Sequence, residues 1–320
     1  MSPTGVSLQI SLAPTDYPHS VTILPHQLRQ WRGQVDDVAF TVDLHRAPGR
    51  FSHAWEERRP QLDAFLAGLV EDDPGARIQE VDYDAPAVSA VGDAFFGGLL
   101  PPPKDSRGGP FYSYFYAAWA AREDLVLHMD SDMLFGGGSQ SWVEQAVELL
   151  AERPDALACS PLPGPPTADG RLVSQAGERL PHPELAFGFH TLSTRIFLLD
   201  RARLITRAAP LPLGPPPRLR SRVKARMRGN PSFALPEDLL TRTMKSRGLE
   251  RVDFLGRAPG MWSLHPPFRS DQFYEELPEL VARVEAGDVP DAQRGDHDLN
   301  DSMIDWTAAR RTQRRSRWRS

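Results

Sequence analysis

The sequence predicts an α/β fold built on one doubly wound, mixed sheet. Its opening supplies the first observation: Val6 to Leu12 alternates as a strand does, residues 20–31 carry apolar side chains at helical spacing, and Val38 to Leu44 forms a second strand. This order predicts a right-handed crossover and a parallel pair of strands. The second observation is the apolar run Leu125 to Met129, which is typical of a strand buried on both faces. We therefore expect a Rossmann-like sheet covered by helices on both sides.

The rest of the chain continues the alternation of helices and strands. Proline-rich stretches at 101–110, 161–166 and 210–217 predict loops, because proline removes a backbone donor and disfavours helix at the residue before it. Between these loops, helical spacing is found at 58–69, 111–121, 141–153 and 236–247, and strand patterns at 76–83, 156–159, 171–180, 186–199 and 251–255. The helix after residue 141 is marked by a capping box formed by Ser141 and Glu144.

Composition narrows the class of protein. The 320 residues include 37 Lys and Arg against 42 Asp and Glu, a net charge of -5, so the chain as a whole is not built to coat nucleic acid. The single cysteine, Cys159, excludes an internal disulfide and a cysteine-based zinc site. No apolar run approaches the roughly 20 residues that a membrane span requires, and no leader pattern opens the chain. We expect a cytoplasmic protein with no nucleic-acid partner.

A basic segment at 218–228 carries six cations that alternate with other residues. As an extended strand it would place all six charges on one side, where they repel one another unless an anion lies there. It is interpreted as a mobile lid over phosphates, a patch for an anionic acceptor or lipid headgroup, or a solvated loop. The chain ends in a second basic stretch at 311–319, which we expect to be a disordered tail.

Two carboxylates follow the buried strand directly. Side chains at i and i+2 of an extended chain point to the same side, so Asp130 and Asp132 can converge on one point. Carboxylate oxygens at the carboxyl end of a buried strand suit Mg²⁺ or Mn²⁺, and they lie where open α/β sheets bind ligands. Two other D-x-D triplets, at 82–84 and 296–298, lack this context, and we interpret both as ordinary surface acids.

Further polar residues occupy strand and helix ends. Asp43 closes the second strand, where an acid can bond a nucleoside in nucleotide-binding folds. Glu237 and Asp238 open a helix after Pro236, and the helix dipole is by itself a sufficient reason for both acids. His265 follows the last predicted strand.

Taken in order, these residues resemble the GT-A glycosyltransferases, in particular the family 2 type. The resemblance covers roughly residues 6–267, and its best motifs are VLHMDSDMLF and PEDLLTRTMKSRGLERVDFLG. It implies a single GT-A domain that moves a sugar from a nucleoside-diphosphate sugar to an acceptor hydroxyl. Residues 1–135 would form the nucleotide-sugar-binding half, 136–270 the acceptor-binding and catalytic half, and 271–320 a C-terminal extension with the basic tail.

The resemblance also implies a role for each site residue. Asp130, Asp132 and His265 would hold Mn²⁺ or Mg²⁺ against the donor diphosphate. Asp238 would be the catalytic base of an inverting displacement, with Glu237 as the second choice. The donor contacts implied are Pro14, Thr15, Asp16, Asp43, Arg107 and Ser131.

The sequence departs from the family pattern at two places, and two other functions remain open. The first strand lacks the usual dense Val/Ile run, and the Q-x-x-R-W signature of processive polysaccharide synthases is absent. We therefore expect transfer of a single sugar to a soluble or lipid-phosphate acceptor, by a protein that is cytoplasmic or peripheral to the membrane. The alternatives are a sugar-phosphate nucleotidyltransferase, disfavoured because the loop APTDYPH has no glycine, lysine or arginine, and a non-catalytic polyanion-binding protein.

Overall fold

One mixed sheet organises the protein. The computed structural model describes residues 5–47 and 52–319. Its strands are β1 Val6–Leu12, β2 Asp37–Val42, β3 Ala76–Glu80, β4 Leu125–Asp130, β5 Leu134–Gly136, β6 Ala156–Pro163, β7 Glu178–Leu180, β8 Ala186–Phe189, β9 Ile196–Asp200, β10 Glu250–Phe254 and β11 Trp262–Leu264. Its helices are α1 Tyr17–Trp31, α2 Trp55–Glu71, α3 Ala85–Phe96, α4 Tyr112–Trp119, α5 Trp142–Glu152, α6 Arg201–Arg203, α7 Leu219–Met227, α8 Pro236–Arg247, α9 Asp271–Glu285 and α10 Thr307–Arg319.

The predicted doubly wound sheet is confirmed. Its main path runs β3-β2-β1-β4-β9-β6-β10-β8-β7. The first four of these strands are parallel, β9 is antiparallel to both of its neighbours, and β10 is parallel to β6. Strand order reverses at β1, which has β2 on one side and β4 on the other. Ligands of open α/β sheets bind at the carboxyl ends of the strands beside such a reversal.

A small second sheet completes this edge. β11 pairs in parallel with the end of β6 and antiparallel with β5. The turn after β5 needs glycine, because Gly137 has a φ of +91° and a Cβ there would lie 2.4 Å from the carbonyl oxygen of Gly260. This pairing fixes the position of β5, which follows the two predicted metal-binding acids, Asp130 and Asp132.

The apolar core has three parts. Two clusters fill the faces of the main sheet, one centred on Leu8 and Phe40 and the other on Phe96 and Phe115. The third lies under the C-terminal segment, where Trp306 is fully buried against Phe273. Residues 271–306 therefore fold onto the domain.

Several local predictions are wrong. Residues 85–96 form α3, which the sequence analysis did not anticipate, and of the strand predicted at 171–180 only β7 forms. Ser141 precedes α5, but its side chain does not cap the helix; its Oγ accepts instead from Gln145 Nε2 at 3.1 Å.

The two basic stretches are helical. Residues 219–227 form the helix α7, which the sequence analysis did not predict; leucine, arginine, lysine, alanine and methionine are strong helix formers. Residues 307–319 form α10 where a disordered tail was expected, and the side chains beyond residue 314 lie outside the part that the structure describes.

A buried histidine ties α1 to α9 and β5. Nδ1 of His26 donates to Oε1 of Glu285 at 2.7 Å, and Nε2 accepts from the backbone N–H of Phe135 at 2.9 Å. The contact with Phe135 needs the neutral ring, since a protonated Nε2 can no longer accept. Burial lowers the pKa of His26 below its usual value of 6.5, and this outweighs the opposing effect of Glu285.

This histidine predicts a pH dependence of stability. The unfolded chain takes up a proton at His26 below about pH 6.5 and the folded chain does not, so the free energy of unfolding falls as pH is lowered from about 6.5 toward 5. His26→Gln is expected to flatten this slope by up to about 1.4 kcal/mol per pH unit. Urea unfolding between pH 5 and 7 measures it, with the exposed His182→Gln as control; equal slopes in wild type and His26→Gln would contradict it.

Candidate active site

A cleft opens at the carboxyl ends of β1 and β4. It encloses about 200 Å³. Ser11 of β1 lies opposite Asp130 of β4, so the turn after β1 and the acids after β4 share this space. Residues that line the cleft include Ser11, Thr15, Asp16, Asp43, Lys104, Ser113, Tyr114, Asp130, Ser131 and Arg269.

The two acids after β4 have different surroundings. Asp130 lines the cleft, and its Oδ1 accepts from the hydroxyl of Tyr114 at 3.0 Å. Asp132 is 2% exposed, and its Oδ1 has no hydrogen-bond partner among the described residues. A buried carboxylate oxygen without a partner costs stability unless a ligand or an ion satisfies it. Oδ1 of Asp132 is therefore a candidate ligand atom.

Arg269 neutralises this acidic site and was missed in the sequence. Its Nη2 and Nε lie 2.6 and 3.1 Å from Oδ2 of Asp132, and its Nη1 lies 2.8 Å from Oδ1 of Asp16. Burial is the largest single influence and would raise the pKa of Asp132, but Arg269 together with the nearby histidines outweighs it, and the pKa of this carboxyl lies well below its usual range. No local motif marks Arg269, because it meets Asp132 across 137 residues of chain.

His265 reaches the same carboxylate through the small sheet. Leu264 of β11 pairs with Leu134 of β5, so the next residue along β11 approaches Asp132. Nε2 of His265 lies 3.9 Å from Oδ2 of Asp132, and Nδ1 lies 3.0 Å from Oδ1 of Asp298. With the Nδ1 proton donated to that carboxylate, the lone pair of Nε2 is free, as it is in histidines that bind metals.

Asp298 was interpreted as an ordinary surface acid, and the structure adds contacts that the sequence did not predict. Its side chain is 52% exposed, yet its carboxylate bonds His265 and lies 3.6 Å from Nη1 of Arg195. Asp82, in the triplet at 82–84, is exposed; its carboxylate accepts from the N–H of Asp84, and its backbone carbonyl accepts from the hydroxyl of Tyr112.

The donor set fits a divalent cation only in part. Within residues 5–47 and 52–319, no group of three or more His, Cys, Asp or Glu is arranged to hold a metal. The unpartnered Oδ1 of Asp132 and the free Nε2 of His265 nevertheless offer two ligand atoms of suitable type beside an open cleft. Mg²⁺ commonly takes one or two protein carboxylates and completes its shell with phosphate oxygens and water. The residues therefore fit a cation that shares its coordination with a phosphorylated substrate.

Asp43 lies in the cleft with both carboxylate oxygens bonded. Oδ1 accepts from the hydroxyl of Tyr83 at 2.9 Å and from the backbone of His45 at 3.0 Å, and Oδ2 is 2.6 Å from Nζ of Lys104. Lys104, not Arg107, is the cation that the 94–110 loop places at the cleft. Arg107 is exposed and lies away from the lining.

The remaining predicted donor contacts cluster around α1. Thr15 and Asp16 line the cleft, whereas Pro14 is buried in the turn behind them. Ser131 also lines the cleft, and its Oγ lies 3.0 Å from Nε2 of His19. Burial, with Arg269 adding to it, lowers the pKa of His19 to about 3, so this ring is neutral at physiological pH.

A second cavity of about 250 Å³ lies beside the first, and Glu237 lines it together with Arg195, Asp253 and His297. Oε1 of Glu237 accepts from the N–H and the Oγ1 of Thr194, both at 3.2 Å. Arg195 follows Thr194 in the chain, and its carbonyl accepts from the N–H of Asp130. Through Thr194 and Arg195, Glu237 therefore lies close to the acids after β4.

Asp238 lies beside Glu237 in the first turn of α8, but it is exposed and does not line either cavity. Its side chain has no hydrogen-bonding or charged partner in the described part of the chain, and only its backbone carbonyl is bonded, by Nε of Arg242.

Solved structures provide a comparison at the level of fold. S. aureus TarS (residues 1–349) is 14% identical over 90% of this chain and 67% of its own, with a TM-score of 0.43. A complex of the same protein with UDP-GlcNAc is 13% identical over 90% and 68%, with a TM-score of 0.43. GalNAc-T7 with UDP, GalNAc and Mn²⁺ is 11% identical over 87% of this chain, which spans 47% of that structure, with a TM-score of 0.46.

These are similarities of overall fold at low identity. No protein-family model and no curated protein matches the chain. With identities of 11–14% and TM-scores below 0.5, no site residue is transferred from these structures, and the roles below rest on the geometry of this chain.

The buried pair of Lys104 and Asp43 generates a stability prediction. Their side chains are 9% and 6% exposed, so Lys104→Met leaves a buried carboxylate without its counter-charge and is expected to cost about 3–5 kcal/mol. Adding Asp43→Asn removes that charge, and the double variant is expected to recover part of the loss. Urea unfolding measures both, with the exposed Lys245→Met as control. A double variant less stable than Lys104→Met would contradict this electrostatic account.

Proposed function

We propose that this protein is a metal-dependent glycosyltransferase that moves a sugar from a nucleoside-diphosphate sugar to an acceptor hydroxyl. The observation that carries the proposal is the pair of ligand atoms at the cleft, the unpartnered Oδ1 of the buried Asp132 and the free Nε2 of His265. Asp132 follows the carboxyl end of β4 beside the reversal of strand order, which is where such a sheet binds nucleotides, and His265 approaches it after β11.

In this proposal Asp132 and His265 would hold Mn²⁺ or Mg²⁺, and Asp130 at the cleft wall would add a further carboxylate. The bound ion would supply a Lewis acid for the charge that develops on a departing diphosphate. Arg269 and Lys104 add two protein cations to the same cleft, and both are already oriented by carboxylates. Because both cations are already oriented, neither has to reorient as negative charge develops on the departing diphosphate, and both can stabilise that charge.

The donor nucleoside is proposed to lie against the turn after β1 and the end of β2. Thr15, Asp16 and Ser131 face this space. Both carboxylate oxygens of Asp43 already accept hydrogen bonds, from Tyr83 and from Lys104. Asp43 therefore orients Lys104, and it would bond the nucleoside only through an oxygen that already has a partner. The neutral ring of His19 fixes the hydroxyl of Ser131 without adding charge to the site.

The acids that open α8 are proposed to supply the base. An acceptor hydroxyl must lose its proton as it attacks the anomeric carbon, and a carboxylate opposite the leaving group is suited to take it. Asp238 is our first candidate because its carboxylate is free, whereas Oε1 of Glu237 is engaged by Thr194. Glu237 is the second candidate because it lines the cavity of about 250 Å³ near the acids after β4.

Ligand binding tests the metal and donor site. Nucleoside diphosphates (UDP, GDP, ADP and TDP) are screened with and without Mn²⁺ by thermal shift. Binding at about 100 times the dissociation constant adds about 2.7 kcal/mol, which corresponds to about 5 °C. We expect one base to give such a shift with Mn²⁺ only, and Asp132→Asn to abolish it.

Asp82→Asn, the matched change in another D-x-D triplet, is expected to keep the full shift. A shift that survives Asp132→Asn, or no shift with any nucleotide, would contradict the proposed site.

The base assignment predicts a difference between neighbouring variants. With the donor found by the screen, Asp238→Asn is expected to lower kcat by about 10²–10⁴-fold, the usual contribution of general base catalysis, and to leave donor binding unchanged. Glu237→Gln, which keeps its acceptor for Thr194, is expected to lose less. NMR of the product is expected to show inversion at the anomeric carbon. A larger loss in Glu237→Gln would move the base to that residue, and a retained configuration would contradict a base-assisted single displacement.

A further inference from the structure

Helix α7 exposes an apolar stripe. Leu219, Val223 and Met227 are 72%, 52% and 77% exposed. They are spaced by four residues, so they lie one above another on one face of the helix. Single exposed apolar side chains are common on protein surfaces, but three in a row along one short helix form a contiguous surface.

The opposite side of α7 faces the protein. Ala225 is the only fully buried residue of the helix. At about 100° per residue, Ala225 points roughly opposite to the mean direction of the stripe. The apolar stripe therefore faces away from the body of the protein, and no residue of the described chain covers it.

Cations border the stripe on both sides. The same helical geometry places Arg222 and Arg226 on one flank and Arg220 and Lys224 on the other. Among the described residues, none of these four cations forms an ion pair with a carboxylate; Arg222 donates only to the carbonyl of Pro216. The positive charge of this surface is thus not neutralised within the protein.

These features discriminate between the possible occupants. A soluble polyanion would contact the cations and leave the apolar side chains in water. A solvated helix would need no exposed stripe at all. An anionic lipid surface uses both, because the apolar face enters the boundary between headgroups and acyl chains while lysine and arginine contact the phosphates.

We propose that α7 lies in the plane of an anionic lipid surface and docks the protein onto it through its apolar stripe and flanking cations. No helix of the described chain is long and apolar enough to cross a membrane, so the contact is peripheral. The proposal rests on the surface of α7 alone and does not require the reaction proposed above.

The attachment of α7 places this surface beside the donor cleft. Asn230 follows the helix, is buried, and lies against Gly108, which lines the cleft. Ser106, in the same loop as Gly108, donates its N–H to the carbonyl of Phe233 at 2.9 Å. A lipid surface under α7 would therefore lie next to the loop that forms one wall of the cleft.

Vesicle sedimentation of the full chain tests the proposal. Vesicles of phosphatidylcholine alone and of phosphatidylcholine with 25–30% phosphatidylglycerol (roughly the range in which cationic surfaces respond) are compared at low and high salt. We expect binding to the anionic vesicles only. Leu219→Ser/Val223→Ser/Met227→Ser and, separately, Arg220→Gln/Arg222→Gln/Lys224→Gln/Arg226→Gln are each expected to reduce the partition coefficient at least ~10-fold.

A matched control is Val173→Ser, an equally exposed apolar residue far from α7 in sequence, which is expected to bind as wild type does. Unchanged thermal midpoints establish that the variants are folded. Equal binding to neutral and anionic vesicles would overturn the proposal. Full binding by the apolar triple variant would also overturn it. If soluble polyphosphate then displaced that variant from the vesicles, the cations would be assigned to a soluble polyanion. The nucleotide-induced thermal shift is read separately, so failure of one proposal does not imply failure of the other.

Discussion

The site depends on the charge balance around one buried carboxylate. Asp132 is removed from water and remains ionised because Arg269 lies against one of its oxygens, with Asp16 holding the far side of the same guanidinium. The other oxygen has no hydrogen-bond partner within residues 5–47 and 52–319. A buried anion of this kind would be costly alone, and with one cation it is only half satisfied. The fold thus presents a carboxylate that is fixed, charged and still able to bind.

The sequence predicts the parts of this arrangement that follow from local pattern. A buried strand that ends in Asp130 and Asp132 places both acids at the carboxyl edge of the sheet, and helical or strand periodicity locates most of the other elements. Arg269 and Asp298 were missed because their partners are set by the pairing of β5 with β11 and by the path of the C-terminal segment. Pairing between distant segments leaves no signal within a short window of residues.

Helix α7 was missed for a different reason. Alternating cations would lie on one side of an extended chain, and the segment was interpreted as a lid, an anion-binding patch or a solvated loop. Intrinsic helix propensity prevailed, since no neighbouring strand pairs with this segment to offset it. The helix changes what the segment can do. An extended chain would place Leu219, Val223 and Met227 on the face opposite to the cations, whereas the helix places cations on both flanks of these side chains, so that one surface can contact both.

Asp298 gives the C-terminal segment an influence over the ion that the site is proposed to bind. It orients His265 and lies eight residues before Trp306, which anchors the segment in the third apolar cluster. A histidine ring that is correctly oriented binds a cation more tightly, so docking of the segment would favour ion binding. Free-energy coupling between two events is reciprocal, and the bound ion would hold the segment in place to the same extent. Protection of the amides near Trp306 from hydrogen exchange would then rise with cation concentration, even though that tryptophan contacts no ligand atom.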